Sequence, residues 1–211
     1  NHRRFKSLLV SERRRMIPLI RLLRPKQWLK NAFVFAPLFF AERFAEPGAW
    51  RETLLAALLF FCAAGIVYIG NDIRAMAEDK LHPAKKLRPI AAGEIGVFQA
   101  ALFACGLAGI AVYIVTLLPP ACALIAALYL ALNVLYTLYL KRVAILDVFV
   151  IAFFYVLRVL MGCYALQVTP SPWIVLTTFL LALFLGFGKR HHEMGIEAYA
   201  RAKPNLQAYS R

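Results

Sequence analysis

The sequence is poor in charged residues, and above all in acidic ones. Only 17% of its 211 residues are charged and 62% are hydrophobic, with 11 acidic side chains in the whole chain. This balance excludes an ordinary water-soluble domain, in which about a quarter of the residues are charged. The composition therefore predicts an all-α, polytopic integral membrane protein.

Cysteine is also scarce. The four cysteines each lie in an apolar stretch: Cys62, Cys105, Cys122 and Cys163. None forms a C-x-x-C pair, and none has a histidine at the spacing of a zinc ligand. The pattern argues against disulfides and against a structural zinc site.

Long uncharged runs are abundant. Because a bilayer core of about 30 Å requires roughly 20 apolar residues per helix, these runs predict six membrane-spanning helices. The predicted spans are a weaker one at 28–41, then 53–71, two within 95–140 that are separated by Pro119-Pro120, one at about 144–166 and one at about 172–189.

Basic residues fix the expected orientation. The chain has 25 Lys and Arg and a net charge of +14, and nearly all of these cations lie in alternate connections. Lys and Arg in short loops resist translocation. We therefore expect both chain ends and the 72–94 loop to be cytoplasmic, and the charge to serve topology rather than a nucleic-acid partner. Residues 1–23 are both basic and apolar, which predicts an amphipathic helix on the membrane surface.

Carboxylates cluster where the second span ends. If this helix continues past residue 71, Tyr68, Asp72, Ala75 and Asp79 share one face. Two carboxylates two turns apart, followed by the cations Lys85, Lys86 and Arg88, can hold Mg²⁺ ions that bridge a diphosphate. The alternative is an ordinary hydrated loop of mixed charge.

Four segments together resemble one membrane enzyme family. They are Asn71-Asp72 with Asp79, the run Arg24-Pro-Lys-Gln-Trp-Leu-Lys-Asn31, the string His82-Pro-x-Lys-x-x-Arg-Pro89, and Leu140-Lys-Arg142 with Asp147. They resemble the UbiA superfamily of intramembrane prenyltransferases, and within it the decaprenyl-phosphate phosphoribosyltransferase branch.

This resemblance implies a fold and a reaction. The expected architecture is a nine-helix UbiA-type bundle, of which this chain carries six helices in a transmembrane domain at 24–195. Residues 196–211 would be a cytoplasmic tail or the start of a missing C-terminal part. The expected reaction moves 5-phosphoribose from phosphoribosyl pyrophosphate to a polyprenyl phosphate, with Mg²⁺ as cofactor. One departure is Ala75, where the family pattern usually has an aspartate.

The resemblance and the charge pattern together nominate the site residues. The catalytic candidates are Asp72, Asp79 and Asp147, and the first two are also the metal ligands. The substrate-binding candidates are Lys26, Lys30, Tyr68, Asn71, His82, Lys85, Arg88, Lys141, Arg142, Arg158, Lys189 and Arg190.

Several of these candidates also have a structural interpretation. Asp147 fits a helix-start residue paired with Arg142 equally well. Lys189 and Arg190 can simply mark the membrane rim, as can Lys26 and Lys30. Arg158 lies three turns deeper than Asp147, where a cation is costly, so an anionic ligand is favoured over an unseen carboxylate partner.

Two other functions fit parts of the same sequence. One is UbiA-type aromatic prenyl transfer, with an isoprenoid diphosphate on the same carboxylates. The other is a small membrane transporter, against which the one-sided placement of ionisable groups argues. Whether the chain forms homo-oligomers stays open.

Overall fold

The computed structural model describes residues 17–194, and these contain helices and no β-strand. The α-helices are α1 (residues 17–22 as described), α2 (Ala36–Phe40), α3 (Pro47–Arg74), α4 (Met76–Leu81), α5 (Val97–Thr116), α6 (Pro120–Leu138), α7 (Leu146–Ala165) and α8 (Pro172–Met194). Four 3₁₀ segments lie between them: Pro25–Phe35, Arg43–Ala45, Lys85–Leu87 and Leu140–Arg142. The all-α prediction is confirmed.

Five of the described helices are long and apolar enough to cross a membrane: α3, α5, α6, α7 and α8. Large apolar side chains on them point outward, including Phe98, Leu124 and Phe184, each at least 70% exposed. Such a surface suits lipid and not water. The chain is an integral membrane protein.

The weaker first span, predicted at 28–41, is not one long helix. Pro25–Phe35 is a 3₁₀ segment, and only Ala36–Phe40 is α-helical. Pro37 explains the break, since it has no N–H to donate one turn back and its ring crowds the preceding turn. The predicted count of six spanning helices is therefore wrong for the described residues.

Two parts of the predicted domain organisation lie outside the described residues. They are residues 1–16 of the amphipathic segment and the tail at 196–211. Residues 17–22 of the same segment are helical, and the location of the segment on the membrane surface stays a prediction.

The described chain divides into two compact units. The first unit contains the described residues up to Leu29 together with Phe61–Tyr113, and the second contains Lys30–Phe60 and the described residues from Ile114 onward. Helix α3 contributes its C-terminal half to the first unit and its N-terminal half to the second.

The core of the first unit joins α1, the end of α3, and α5. Leu22, Ile69 and Leu107 belong to one buried apolar cluster. Gly65 lets the three helices approach closely, because a methyl group at this position would lie 2.9 Å from Leu23 and 3.0 Å from Leu107. This packing positions the end of α3, on which the carboxylates lie.

Helix α7 is the centre of the second unit, where it packs against α6, α8 and α2. Most of its side chains are buried, although its neighbour α8 is largely exposed. Gly162 allows the contact with α2 and with the 3₁₀ segment before it, since a methyl group there would lie 3.1 Å from the Pro37 ring and would overlap the backbone oxygen of Val34.

Candidate functional site

The carboxylates Asp72 and Asp79 lie on opposite sides of a helix break. Helix α3 ends at Arg74 and α4 begins at Met76, with Ala75 between them. Hydrogen bonding across the break keeps an α-helical step, because Ala75 N–H donates to Asn71 and Asp79 N–H donates to Ala75. The chain therefore advances about two turns between the two carboxylates, so both lie on the same face of the helical path although the break separates them along the chain.

One arginine binds both carboxylates. Nη1 of Arg88 donates to Oδ2 of Asp79 at 2.6 Å and to Oδ1 of Asp72 at 3.0 Å. Both carboxylates are only 2% exposed. We call Asp72 and Asp79 the acidic pair.

A second arginine, which the sequence interpretation did not nominate, reaches the same oxygen of Asp72. Nη2 of Arg24 donates to Oδ1 of Asp72 at 2.5 Å, and its guanidinium lies 4.8 Å from the ring centre of Tyr68. Its backbone has the left-handed φ of 51°, which is uncommon for a non-glycine residue and is found at functional sites. The signal in the sequence was its place at the head of the Arg24-Pro25-Lys26 run.

These four side chains form a charge-balanced network. Two guanidiniums face two carboxylates, which makes burial of the acids affordable in a low-dielectric setting. The arginine side chains are each 29% exposed, in contrast to the carboxylates. The arginines therefore form the accessible side of the network.

The acidic pair suits a magnesium ion that also binds a substrate. Asp72 Oδ2 and Asp79 Oδ1 accept no hydrogen bond from any described residue. No group of three or more His, Cys, Asp or Glu among residues 17–194 is arranged to hold a metal. Mg²⁺ commonly uses one or two carboxylates and takes its other ligands from water and substrate phosphates. The donor set fits that mode of binding and does not fit an all-protein metal cage.

The loop that carries Arg88 is fixed at both ends. At its start, Nδ1 of His82 accepts from the backbone N–H groups of Ala84 and Lys85, at 3.2 and 3.3 Å. Near its end, Arg21 of α1 donates to both oxygens of Glu94, at 2.9 and 2.7 Å, and to the Leu87 carbonyl. His82 therefore stabilises the turn, and Lys85 is exposed on it.

In the second unit, Asp147 and Arg190 form a buried ion pair. Asp147 is in the first turn of α7 and Arg190 is in the last part of α8, and Nη2 of Arg190 donates to Oδ2 of Asp147 at 2.6 Å. Their side chains are 0% and 11% exposed. This contact joins two predicted site residues that are 43 positions apart, which the sequence could not reveal.

Arg158 lies in a box of aromatic rings in the second unit. Its guanidinium is 5.1–5.7 Å from the ring centres of Phe60, Tyr129 and Tyr155. Nε donates to Asn31 at 3.1 Å and Nη1 to a backbone carbonyl of α7 at 2.7 Å. No carboxylate of the described residues pairs with it. Cation–π contacts and hydrogen bonds therefore stabilise the Arg158 guanidinium where a carboxylate partner was the alternative expectation.

The remaining nominated residues lie in helices and 3₁₀ segments. Lys26 and Lys30 are in the Pro25–Phe35 segment, Asn71 is in α3, Lys141 and Arg142 are in the Leu140–Arg142 segment, and Lys189 is in α8. The Pro25–Phe35 segment is a 3₁₀ helix, and at three residues per turn the spacing of four between Lys26 and Lys30 rotates by about 120°. Their substrate-binding roles stay predictions.

Residues 31–203 match the UbiA prenyltransferase family. The chain belongs to this family. The match covers most of the sequence, including the acidic pair and the Asp147–Arg190 ion pair, and it confirms the resemblance that the four motifs indicated.

Curated relatives of this UbiA family member include phosphoribosyltransferases. The chain is 30% identical to the decaprenyl-phosphate phosphoribosyltransferase of Mycobacterium tuberculosis H37Rv, over 91% of this chain and 66% of the relative. It is 31% identical to the enzyme of the same name from Mycolicibacterium smegmatis, over 91% of this chain and 62% of the relative. An uncharacterised protein of Sinorhizobium fredii is 36% identical, over 81% of this chain and 33% of that protein. The chain thus spans between one third and two thirds of the length of these relatives.

Solved structures of UbiA-type proteins share the fold. A digeranylgeranylglyceryl phosphate synthase matches with a TM-score of 0.70 and 18% identity, over 89% of this chain and 66% of that chain. A UbiA homologue from Archaeoglobus fulgidus bound to DMAPP and Mg²⁺ matches with a TM-score of 0.68 and 19% identity, over the same shares. At this identity the likeness establishes the fold.

Proposed function

We propose that the protein transfers 5-phosphoribose from phosphoribosyl pyrophosphate to a polyprenyl phosphate and releases diphosphate. The observation that carries the proposal is the network of Arg24, Arg88 and the acidic pair, together with the exposed 3₁₀ turn that directly precedes Arg88 and carries Lys85. Similarity to curated phosphoribosyltransferases over 91% of the chain supports this choice of substrates.

The donor presents two separate anionic groups. Its diphosphate leaves from the anomeric carbon, and its 5-phosphate lies at the far end of the sugar. Arg24 and Arg88 offer guanidinium groups to the diphosphate, since arginine matches phosphate oxygens in a bidentate manner. Lys85 lies three residues before Arg88 on an exposed 3₁₀ turn, and it can serve the 5-phosphate.

Magnesium would be held by Asp72 and Asp79, and when bound it supplies positive charge beside the leaving diphosphate. The chain's own residues complete the charge stabilisation. Negative charge accumulates on the diphosphate as the bond to the anomeric carbon breaks, and Arg24 and Arg88 stabilise it in a site of low dielectric constant.

The acceptor attacks the same carbon. An oxygen of the lipid phosphate forms the new bond to the anomeric carbon, and the electron pair of the old bond departs with the diphosphate. The phosphate is already ionised at neutral pH, so the step requires no strong general base. This fits the described site, which is built from carboxylates already bonded to arginines.

Ligand binding separates this reaction from ordinary prenyl transfer, because an isoprenoid diphosphate lacks the second phosphate. We expect Lys85→Ala and Arg88→Ala each to weaken binding of phosphoribosyl pyrophosphate about ten-fold or more, the value of one charge-assisted contact. Lys86→Ala, its exposed neighbour, is the matched control. Tight binding of an isoprenoid diphosphate without binding of the ribosyl donor would favour prenyl transfer and reject the proposal.

A further inference from the structure

Arg158 holds the side chain of Asn31 in one orientation. Its Nε donates to Oδ1 of Asn31 at 3.1 Å. Arginine has no acceptor, so the amide oxygen and not the amide nitrogen must face it. The guanidinium is itself held in place, because Nη1 donates to the Phe154 carbonyl at 2.7 Å and three aromatic rings surround it. The amide NH₂ group of Asn31 is therefore directed away from Arg158.

The backbone contacts of the 3₁₀ segment support the same orientation. Asn31 and Val34 lie on one face of this segment, because it has three residues per turn. Arg158 and Gly162, four residues apart, lie on one face of α7. Asn31 contacts Arg158, and the Val34 carbonyl oxygen lies against Gly162. Two neighbouring contacts therefore fix the backbone of Asn31 as well as its side chain.

The NH₂ group of Asn31 is available to a ligand. No described residue accepts a hydrogen bond from its Nδ2. Asn31 is partly exposed, whereas Arg158 is only 3% exposed, so a ligand can reach the amide but not the guanidinium behind it. The hydrogen bond from a cation to the amide oxygen polarises the amide, which makes its N–H groups stronger donors. Such a donor suits an anionic oxygen.

The proposed reaction has one further anionic group, the phosphate of the lipid acceptor. Arg24, Arg88 and Lys85 are assigned to the two ends of the ribosyl donor. The acceptor is anchored in the bilayer by its apolar tail, so its phosphate approaches along the membrane-embedded part of the protein. Asn31 lies in the apolar stretch at 28–41, whose single basic residue in the sequence is Lys30. In such surroundings a neutral amide donor is less costly to bury than another cation.

We propose that Nδ2 of Asn31 donates to a phosphate oxygen of the lipid acceptor, and that Arg158 is the positioning residue which holds this amide. The inference rests on the proposed function for the identity of the acceptor. It gives a binding role to Asn31, which is outside the nominated site residues. Arg158 acts through Asn31 and makes no contact with the substrate.

Asn31→Asp separates binding from structure. The aspartate keeps the shape of the side chain and gives Arg158 a carboxylate partner, but it replaces the NH₂ donor with a second oxygen. We expect the variant to unfold in detergent at or above the wild-type temperature. Its affinity for farnesyl phosphate, a short isoprenoid monophosphate, should fall about ten-fold or more in calorimetric titrations. Wild-type affinity for farnesyl phosphate in this variant would overturn the proposal.

The positioning role of Arg158 is tested by a double-mutant cycle. Arg158→Gln alone should weaken farnesyl phosphate binding, because the Asn31 amide is then free to turn over. In the Asn31→Ala background, which has no amide to position, Arg158→Gln should cause no further loss. Arg158→Lys keeps a charged donor and should retain more affinity than Arg158→Gln. Additive losses in the cycle would mean that Arg158 acts independently of Asn31, and would reject the positioning role.

The matched control is Gln27→Glu, which makes the same change from amide to acid in the same 3₁₀ segment. This variant should bind farnesyl phosphate as the wild type does. Phosphoribosyl pyrophosphate binding is measured on all variants and should stay near the wild-type value in Asn31→Asp. A loss of donor binding that equals or exceeds the loss of acceptor binding would assign the amide to the donor and overturn the proposal.

These measurements separate the acceptor subsite from the proposed function. The titration with farnesyl phosphate uses no ribosyl donor, so weaker binding by Asn31→Asp supports the subsite even if phosphoribosyl transfer fails. Conversely, phosphoribosyl transfer by the wild type, with unchanged acceptor binding in Asn31→Asp, would retain the function and reject the subsite.

Discussion

The negative charges of Asp72 and Asp79 balance the positive charges of Arg24 and Arg88. A neutral substitution at any one of these four residues therefore leaves a net charge in the network. Among the described residues, Asp72 accepts from Arg24 and Arg88, and Asp79 accepts from Arg88 alone. Removing one partner of a buried ion pair is costlier than removing an exposed one. The acidic pair is therefore both a ligand site and a local determinant of structure.

Asp72→Asn and Asp79→Asn should each abolish transfer of phosphoribose. Each change keeps the side-chain volume and removes the negative charge that the proposed metal requires. The measurement is turnover, together with thermal unfolding in detergent to separate lost chemistry from lost structure. Glu78→Gln is the control, because Glu78 is adjacent to Asp79 but exposed, and it should stay near wild-type activity. Near-full turnover by either Asp variant would remove that residue from the site.

The sequence located the acidic pair and nominated Arg88, but it did not nominate Arg24. Spacings of four, three and four between Tyr68, Asp72, Ala75 and Asp79 were sufficient to place the carboxylates together. Arg24 is 48 residues from Asp72, and no local pattern specifies a contact at such a separation. The Asp147–Arg190 ion pair was missed for the same reason.

At the scale of elements, close backbone contacts at glycine hold α7 in place. A methyl group at Gly162 would overlap the Val34 carbonyl oxygen and would lie 3.1 Å from the Pro37 ring. The contact fixes the end of the 3₁₀ segment and the start of α2 against α7. The Val34 carbonyl oxygen is a backbone atom, so it cannot move away from an added methyl group as the end of a flexible side chain can.

Gly162→Ala should destabilise the second unit by roughly 1–3 kcal/mol, the usual cost of overpacking a filled core. Gly109→Ala is the matched control, since this glycine is also inside a spanning helix and has no atom within 4 Å of the added methyl. The measurement is the thermal midpoint of both variants in the same detergent. An equal midpoint for the two would show that the Gly162 contact does not limit stability.

The sequence predicted the long helices well and the short ones poorly. Pro119-Pro120 marked the turn between α5 and α6, because Pro120 is accommodated at the first helical position. The chain around Pro37 was instead taken as a single span from its apolar composition. Composition sets membrane preference, whereas Pro37 interrupts the helix locally.

For the whole molecule, the charge distribution predicts a cytoplasmic active site. Ten Lys and Arg lie in residues 1–30 and five in residues 72–94, and the acidic pair is in the second of these segments. Positive connections remain on the cytoplasmic side. Both the ribosyl donor and free Mg²⁺ would then reach the site from the cytoplasm.

Cysteine labelling tests this orientation. Ala84→Cys, at an exposed position in the 72–94 loop, should resist a membrane-impermeant maleimide in intact cells and react after the membrane is opened. Ser171→Cys, in the exposed connection between α7 and α8, should react in intact cells. The opposite pattern would reverse the orientation.

The transfer reaction itself is the most direct measurement. Membranes that contain the protein are incubated with Mg²⁺, polyprenyl phosphate and phosphoribosyl pyrophosphate labelled in the ribose, and lipids are then extracted into organic solvent. We expect label in the lipid fraction only when both substrates are present, and none with the Asp72→Asn variant. Absence of label in the lipid fraction of membranes with correctly folded wild-type protein would contradict phosphoribosyl transfer.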